Sequence, residues 1–269
     1  NYFLEAIIET ADRDTDDRTV VTILSNCTID GGQWNMAVNI IMKYGLVPKS
    51  IMPETLSSSA TAGMNSALTG RLRVGAKTLR DFYRSEPNNP GQLRKEKRKI
   101  LDDVYRILRV HLGNPPTKFD WQWTDSKKTF RREKDMTPAS FRDAYVSIPL
   151  DDYVAIVHDP RKSSPVGRVF TVEYLGNVVV GGRIIYLNVD IQLMKSLARE
   201  TLKNGEAVWF GCDCGKMFHR ENSIWDASLF EYDSFYNMTL ELQSKEDRLL
   251  YRRTAMNHAM LFTGIDEDE

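Results

Sequence analysis

Four histidines and three cysteines are the side chains of this chain best suited to proton or sulfur chemistry near neutral pH. One of them, His258, lies inside Ala255-Met256-Asn257-His258-Ala259-Met260-Leu261-Phe262-Thr263-Gly264, a run of apolar and small residues with little polar interruption. Such a run is expected to form a buried or half-buried strand. An imidazole there is either a structural ring with both nitrogens satisfied or an acid–base group that takes and returns a proton. The reading turns on a second stretch far upstream, Asp30-Gly31-Gly32-Gln33-Trp34. Two glycines in the first turn of a helix are poor helix formers. They are explained either by something approaching the backbone closely or by a tight turn that needs positive φ. Cys27 sits in the loop before Asp30, while Cys212 and Cys214 end a strand. Cys212-x-Cys214 with His219 offers three donors, but a single intervening residue is unlike the C-x₂₋₄-C of structural zinc sites. No second pair accompanies it, so no metal is expected. His111, on a basic helix, and His158, before Pro160, are expected to be solvent-exposed or capping.

The elements that position these residues follow from periodicity. A short helix-like piece and an acidic stretch, Asp12 to Arg18, lead to the apolar run Val20 to Leu24. Asp30 with Gln33 three residues on makes a capping-box pattern ahead of Trp34, Ala37, Val38 and Ile41 at helical spacing. Gly45 and Pro48 end that helix. From about Ser57 to Leu112 two helical series alternate: Leu68, Leu72, Leu79 and Phe82, then Leu93, Ile100, Val104, Ile107, Leu108 and Leu112. Pro87 and Pro90 separate them. The run Arg94-Lys95-Glu96-Lys97-Arg98-Lys99 reads as a solvated helix face, or as a nucleic-acid footprint. Phe119 to Phe130, with Trp121, Trp123 and Lys127-Lys128, reads as an extended hairpin whose aromatics either stack on bases or pack as a twisted ribbon. Thr137-Pro138 starts a short helix.

After Pro149 strands dominate: Tyr153 to Val157, Val169 to Tyr174, Arg183 to Leu187 and Ala207 to Gly211, rich in branched and aromatic residues. Asp190 caps one more helix, with Ile191, Met194, Leu197, Ala198 and Leu202 on one face and Asn204-Gly205 closing it. A helical first half and a strand-rich second half predict an α+β protein of two lobes. Across 269 residues, 42% of them hydrophobic, there is material for that much core. A net charge of −1 excludes a strong global bias towards nucleic acid or membrane surfaces. No apolar run reaches the ~20 residues of a membrane span. An odd, small number of cysteines favours a reducing compartment, the cytoplasm. Two sequons, at Asn26 and Asn237, are chance matches on that route. The start Asn1-Tyr2-Phe3-Leu4-Glu5, without Met or signal peptide, reads as the middle of a longer protein.

Taken together, Asp30-Gly31-Gly32-Gln33-Trp34, Tyr44 to Glu54, Leu175-Gly176-Asn177-Val178-Val179, Gly182-Arg183, Val208-Trp209-Phe210-Gly211-Cys212-Asp213 and Met256-Asn257-His258-Ala259-Met260 resemble, in order, the papain-like cysteine peptidases. Within these the likeness is to the bleomycin hydrolase and aminopeptidase C branch. The resemblance implies a papain-like α+β fold of a helical lobe and a β-barrel-like lobe with a helical insertion, incomplete at both ends. It divides the chain into 1–56, the remainder of the helical lobe with the Gly-Gly strip; 57–148, the insertion; and 149–269, the β-rich lobe.

The family's catalytic residues are a Cys, a His and an Asn, with no cofactor and no metal. The resemblance maps the histidine onto His258 and the strip for substrate backbone onto Gly31 and Gly32, with Asn257 and Ala259 lining the same groove. Position 257 is commonly Thr in this branch. None of Cys27, Cys212 and Cys214 has the setting of the nucleophile, which follows a Gln, adjoins a Trp and opens a helix. The nucleophile is therefore expected before Asn1 and the orienting Asn after Glu269. The chain as it stands is expected to be an inactive fragment of a cysteine aminopeptidase. The branch's C-terminal arm is missing too, and its hexameric assembly is implied for the parent, with peptides as substrates. The competing expectation is a nucleic-acid-binding or scaffolding module built on the basic helix 94–109.

Overall fold

The computed structural model describes residues 1–29, 31–226, 228–240 and 244–267. The chain folds into two compact units, each assembled from two separate stretches: 1–153 with 172–184, and 154–171 with 185–269. Helices fill the first and small sheets mark the second, in agreement with the α+β expectation.

The first unit is built on α1 (Tyr2–Glu9), α2 (Arg18–Ser25), α3 (Trp34–Tyr44), the short α4 (Leu56–Ser59), and the long pair α5 (Ala62–Ser85) and α6 (Pro90–Leu112). The branched run in α2 is helical despite its strand-like composition. Asp17 accepts from the N–H groups of Thr19 and Val20, and a three-residue spacing buries Val20 and Ile23 together. Leu4, Ala6 and Ile7 of α1 pack with Leu72, Ala76 and Leu79 of α5 and with Leu93 and Ile100 of α6. Leu72, Leu79 and Phe82 of one series and Leu93, Ile100 and Val104 of the other thus face this core. Arg80, only 4% exposed, reaches from α5 to the C-terminal end of α1, donating to the carbonyl oxygens of Thr10 (2.8 Å) and Arg13. A cation at that end satisfies carbonyls left over by the helix and complements its dipole.

Between Asn89, whose side chain caps α6 through Gln92 N–H, and Gly113, α6 carries the basic run. Several of its charges are paired: Lys97 with Glu5, Lys99 with Glu96, and Arg106 with Asp103, which also holds Arg71 of α5. The hairpin is β1 (Phe119–Thr124) and β2 (Phe130–Met136), antiparallel. Trp121 and Trp123 stack at 3.8 Å and present edges to Phe141 and Tyr145 of α7 (Pro138–Tyr145). The two rings are thereby engaged with each other and with α7, the structural alternative of the two. Thr137 and Ser140 form the capping box of α7.

In the second unit, β3 (Ile156–Val157), β4 (Val169–Phe170) and β5 (Tyr186–Asn188) make a sheet of order β3-β5-β4. Each is shorter than the branched run that predicted it. Fully buried Asn188 accepts at Oδ1 from Asp159 N–H (2.8 Å) and donates to the carbonyls of Asp159 and Ser164 (2.9 and 2.6 Å). Every polar atom of its amide is thereby used, which is what makes its burial tolerable. After α8 (Ile191–Lys203), capped by Asp190, come β6 (Val208–Cys212), β7 (Phe218–His219), β8 (Ile224–Trp225), α9 (Tyr232–Tyr236), α10 (Lys245–Leu250) and β9 (His258–Phe262). Among the described residues strand β9 pairs antiparallel with β6 alone, and Phe210 stacks on Phe262 at 3.6 Å.

The expectation of a buried or half-buried strand around His258 needs correction. Four of the five residues of β9 are exposed and Met260 is intermediate. An apolar run favours strand pairing, but burial needs a covering layer, and while alternate residues of β6 are half-buried, β9 is left mostly exposed. Among the described residues no helix is long and apolar enough to cross a membrane.

Candidate active site

His258 opens β9, directly across from Cys212 at the end of β6. Its ring is exposed and makes no hydrogen bond with the described residues, so it is not a core histidine with satisfied nitrogens. The backbone that presents it is fixed by the preceding residue. Asn257 N–H donates to Cys212 carbonyl (3.1 Å), its Oδ1 accepts from Cys214 N–H (3.0 Å), and its Nδ2 donates to Asp213 Oδ1 (2.9 Å). Asp213 in turn accepts from Thr254 Oγ1 (2.8 Å) and pairs with Lys216 (3.1 Å). Burial pushes the Asp213 carboxyl up. The Thr254 hydroxyl and Lys216 ammonium outweigh it and hold the group below the usual carboxylate range.

Asn257 is therefore a bracket between the end of β6 and the start of β9, its side chain spent on this turn. Ala259 is exposed and pairs with Gly211. A Cβ at Gly211 would fall 2.5 Å from Met256 Sδ, so the glycine lets Met256 cross the neighbouring strand. The bracket of Asp213, Thr254 and Asn257 escaped sequence reasoning. Its partners stand 41 and 44 residues from Asp213, and the separate matches ending in Asp213 and containing Asn257 were its visible traces.

Gly31 and Gly32 belong to the first unit. Helix α3 begins at Trp34 with Gln33 as its N-cap in extended backbone and no side-chain cap bond. The glycines therefore precede the helix rather than open it, and the capping-box pattern is not realised at Gln33; Asp30 lies outside the described residues. Neither glycine has positive φ, which removes the tight-turn explanation. Both are exposed, and a Cβ at Gly31 would meet nothing within 4 Å, so a strip of backbone lies open there.

The neighbouring segment 172–184 positions α3. Asn177 Nδ2 donates to Met36 carbonyl (2.8 Å), while Asn39 and Gly182 exchange two bonds, side-chain amide against backbone, at 2.9 and 2.8 Å. At Gly176 a Cβ would lie 2.5 Å from the Tyr2 ring, so that packing requires glycine. The resembling motifs of residues 175–183 thus hold the helix that follows the glycine strip.

The remaining nucleophile and ligand candidates are accounted for. Cys27 is buried, and desolvation pushes its thiol above the ordinary value. Cys212 is pushed up to about 12, chiefly by burial and then by its neighbour Cys214. At Cys27 burial outweighs the lowering effect of Arg73, so neither Cys27 nor Cys212 is held as a thiolate. His219 Nδ1 accepts from Asn222 N–H (3.3 Å), and no group of three or more metal-capable side chains occurs among the described residues. Two histidines expected to be exposed or capping have partners: His111 Nδ1 bonds Ser57 Oγ (2.8 Å), and His158 Nδ1 lies 3.1 Å from Lys245 Nζ, which also donates to its carbonyl.

Comparison with known proteins gives one answer. Aminopeptidase C of Listeria monocytogenes is 40% identical over 266 residues, covering 99% of this chain and 59% of the relative. Bleomycin hydrolase of Gallus gallus is 38% identical over 272 residues, covering 100% of this chain and 60% of the relative. The crystal structure of PepW from Lactobacillus rhamnosis HN001 superposes with a TM-score of 0.95 at 42% identity, over 99% of this chain and 59% of that one. The chain thus spans about three-fifths of the length of these relatives. The model of the peptidase C1-like family matches residues 1–269, and with the α+β fold and these relatives in view, the chain belongs to that family.

Proposed function

We propose that the full-length protein is a cysteine aminopeptidase of the bleomycin hydrolase and aminopeptidase C kind, with His258 as its general acid and base. The observation that carries this reading is the exposed, uncommitted imidazole of His258 at the head of β9, its backbone held by the Asn257 bracket. A ring so placed is free to take a proton from a thiol, and the resulting imidazolium lowers a facing thiol's pKa from ~8.5 towards 3–4. The thiolate attacks the carbonyl carbon of the N-terminal peptide bond, and the imidazolium then protonates the leaving amine. Water, deprotonated by the same imidazole, releases the acyl product.

Gly31 and Gly32 serve the substrate backbone: exposed, without side chains and not tied into a helix. Asn257 and Ala259 flank the histidine and serve the substrate beside it, Asn257 through its backbone, since its amide is engaged elsewhere. In this reading residues 1–56 are the remainder of the helical lobe, 57–148 a helical insertion and 149–269 the β-rich lobe. The nucleophile is a cysteine other than Cys27, Cys212 and Cys214. The reaction takes no cofactor, the substrates are peptides, the assembly is a hexamer, and the compartment is the cytoplasm, consistent with three free thiols. The nucleic-acid alternative loses support from the acidic partners of Lys97, Lys99 and Arg106.

The test is a thiol-alkylating probe on the full-length protein. One cysteine outside Cys27, Cys212 and Cys214 should label rapidly, and His258→Ala should slow that labelling strongly and cut kcat by about 10³-fold or more. Equal labelling rates in wild type and variant would remove His258 from the mechanism.

A further inference from the structure

The turn after β6 holds two sulfurs that the proposed peptide chemistry does not use. Cys212 Sγ and Cys214 Sγ lie 3.3 Å apart, both half-buried and both free. In an extended strand, residues two apart share a face with Cα atoms roughly 6.5 Å apart, and side chains standing parallel stay separated. The closeness here comes from a curl in the chain, and the curl is fastened at both ends to one residue. Asn257 donates from its N–H to Cys212 carbonyl and accepts at Oδ1 from Cys214 N–H. The intervening Asp213 carboxylate is occupied by Thr254 and Asn257.

We propose that Cys212 and Cys214 are a reversible dithiol–disulfide pair whose state sets the position of His258. The oxidant class is a low-molecular-weight disulfide such as oxidised glutathione. Cys214 attacks one sulfur of that disulfide and expels one glutathione thiolate. Cys212 then attacks the Cys214 sulfur of the mixed disulfide, forming the intramolecular bond and expelling the second glutathione. Two protein thiols are oxidised, one small disulfide is reduced to two thiols, and the two thiol protons end on the two glutathiones. Burial and the neighbouring Cys214 hold the Cys212 thiol up, which disfavours it for the first, bimolecular attack; its own attack is intramolecular, on a sulfur 3.3 Å away, and its proton passes to the departing glutathione thiolate.

With one residue between the cysteines the closed ring is tight, so the bond is readily reduced and acts as a switch rather than a staple. Closure draws the sulfurs from 3.3 Å to the ~2.05 Å of a disulfide. That contraction pulls on both backbone bonds to Asn257, the residue next to His258. The effect on catalysis rests on the acid–base reading of His258; the thiol closure does not.

The experiment equilibrates the full-length protein with glutathione redox buffers, alkylates it and maps its peptides. The peptide 204–216 carries both sulfurs. It should lose both alkylation sites together and become lighter by two hydrogens, reversibly on adding dithiothreitol. Cys214→Ser should abolish the change, and Cys212→Ser should stop at a persistent glutathione adduct on Cys214. Carbethoxylation of His258, with His111, His158 and His219 as internal references, should change several-fold in rate between the two states in wild type and not in Cys214→Ser. A persistent glutathione adduct on wild type, or a disulfide engaging another cysteine, overturns the pair. Closure with an unchanged His258 rate overturns the coupling. Both readouts are independent of turnover, so they stand apart from the alkylation test of the peptidase reading.

Discussion

Asn257 carries three hydrogen bonds through one backbone N–H and one amide, and that concentration makes it the residue on which the presentation of His258 depends. Asn257→Ala should cost about 1–2 kcal/mol, since Cys214 N–H and Asp213 each lose a partner in a partly solvated turn; urea unfolding measures it. Asp213 adds a pH dependence whose sign is fixed. Its folded pKa is depressed, so its contribution is present above the ordinary carboxylate pKa of ~3.9 and fades as pH falls through the lower folded value. The urea midpoint of Asp213→Asn should therefore lie below wild type at pH 7, and the gap should narrow at pH 3. A gap of constant size would refute an electrostatic origin. At this scale the sequence singled out His258 through its motif, Met256 to Met260, since an imidazole in an apolar run is by itself more often structural. The bracket was illegible, because a carboxylate, a hydroxyl and an amide more than 40 residues apart carry no local pattern.

Helix ends and helix contacts were the best-read elements, for the reason that caps and 3.6-residue spacing are local. Gly45 ends α3 at φ 79°, and a Cβ there would fall 2.2 Å from the backbone of Pro138, whose carbonyl accepts from Leu46 N–H (2.9 Å). Gly45→Ala should destabilise by at least about 2 kcal/mol, combining left-handed strain with displacement of α7. Gly75 lies where α5 meets α6, and a Cβ would approach Ile100 Cγ2 to 2.8 Å. Gly75→Val should lower the melting temperature despite removing a helix-breaking residue, and Gly75→Val with Ile100→Ala should recover part of the loss. The strands between Pro149 and α8 were read too long. Tyr153 to Val157 and Val169 to Tyr174 yield two paired residues each, and Tyr174 turns to φ 57°. Branched and aromatic residues report fit to a pleated, half-buried surface; the number that pair is decided by a partner strand distant in sequence.

At the scale of the molecule, the two units interrupt each other in sequence: 154–171 belongs with 185–269, and 172–184 with 1–153. A cut between lobes at one point in the chain therefore damages both. A product beginning at Ile185 lacks β3 and β4 and leaves the Asn188 amide without its bonds to Asp159 and Ser164, so it should not give a dispersed amide NMR spectrum. A product ending at Tyr153 lacks Asn177 and Gly182, the partners of α3, and should be less stable to urea than the same unit in the intact chain. The α+β class was legible from the change of character after Pro149, whereas the exchange of segments was not, since it is a property of contacts between distant stretches.

That interleaving also imposes an order of events during translation. Strands β3 and β4 leave the ribosome before β5, which must lie between them. At ~5–20 residues per second the nascent chain holds two short unpaired edges for on the order of a second before their common partner is made. Slowing elongation once residue 170 has cleared the ribosome lengthens that interval, and a nascent chain stalled at that stage exposes strand edges that its own later sequence would otherwise cover.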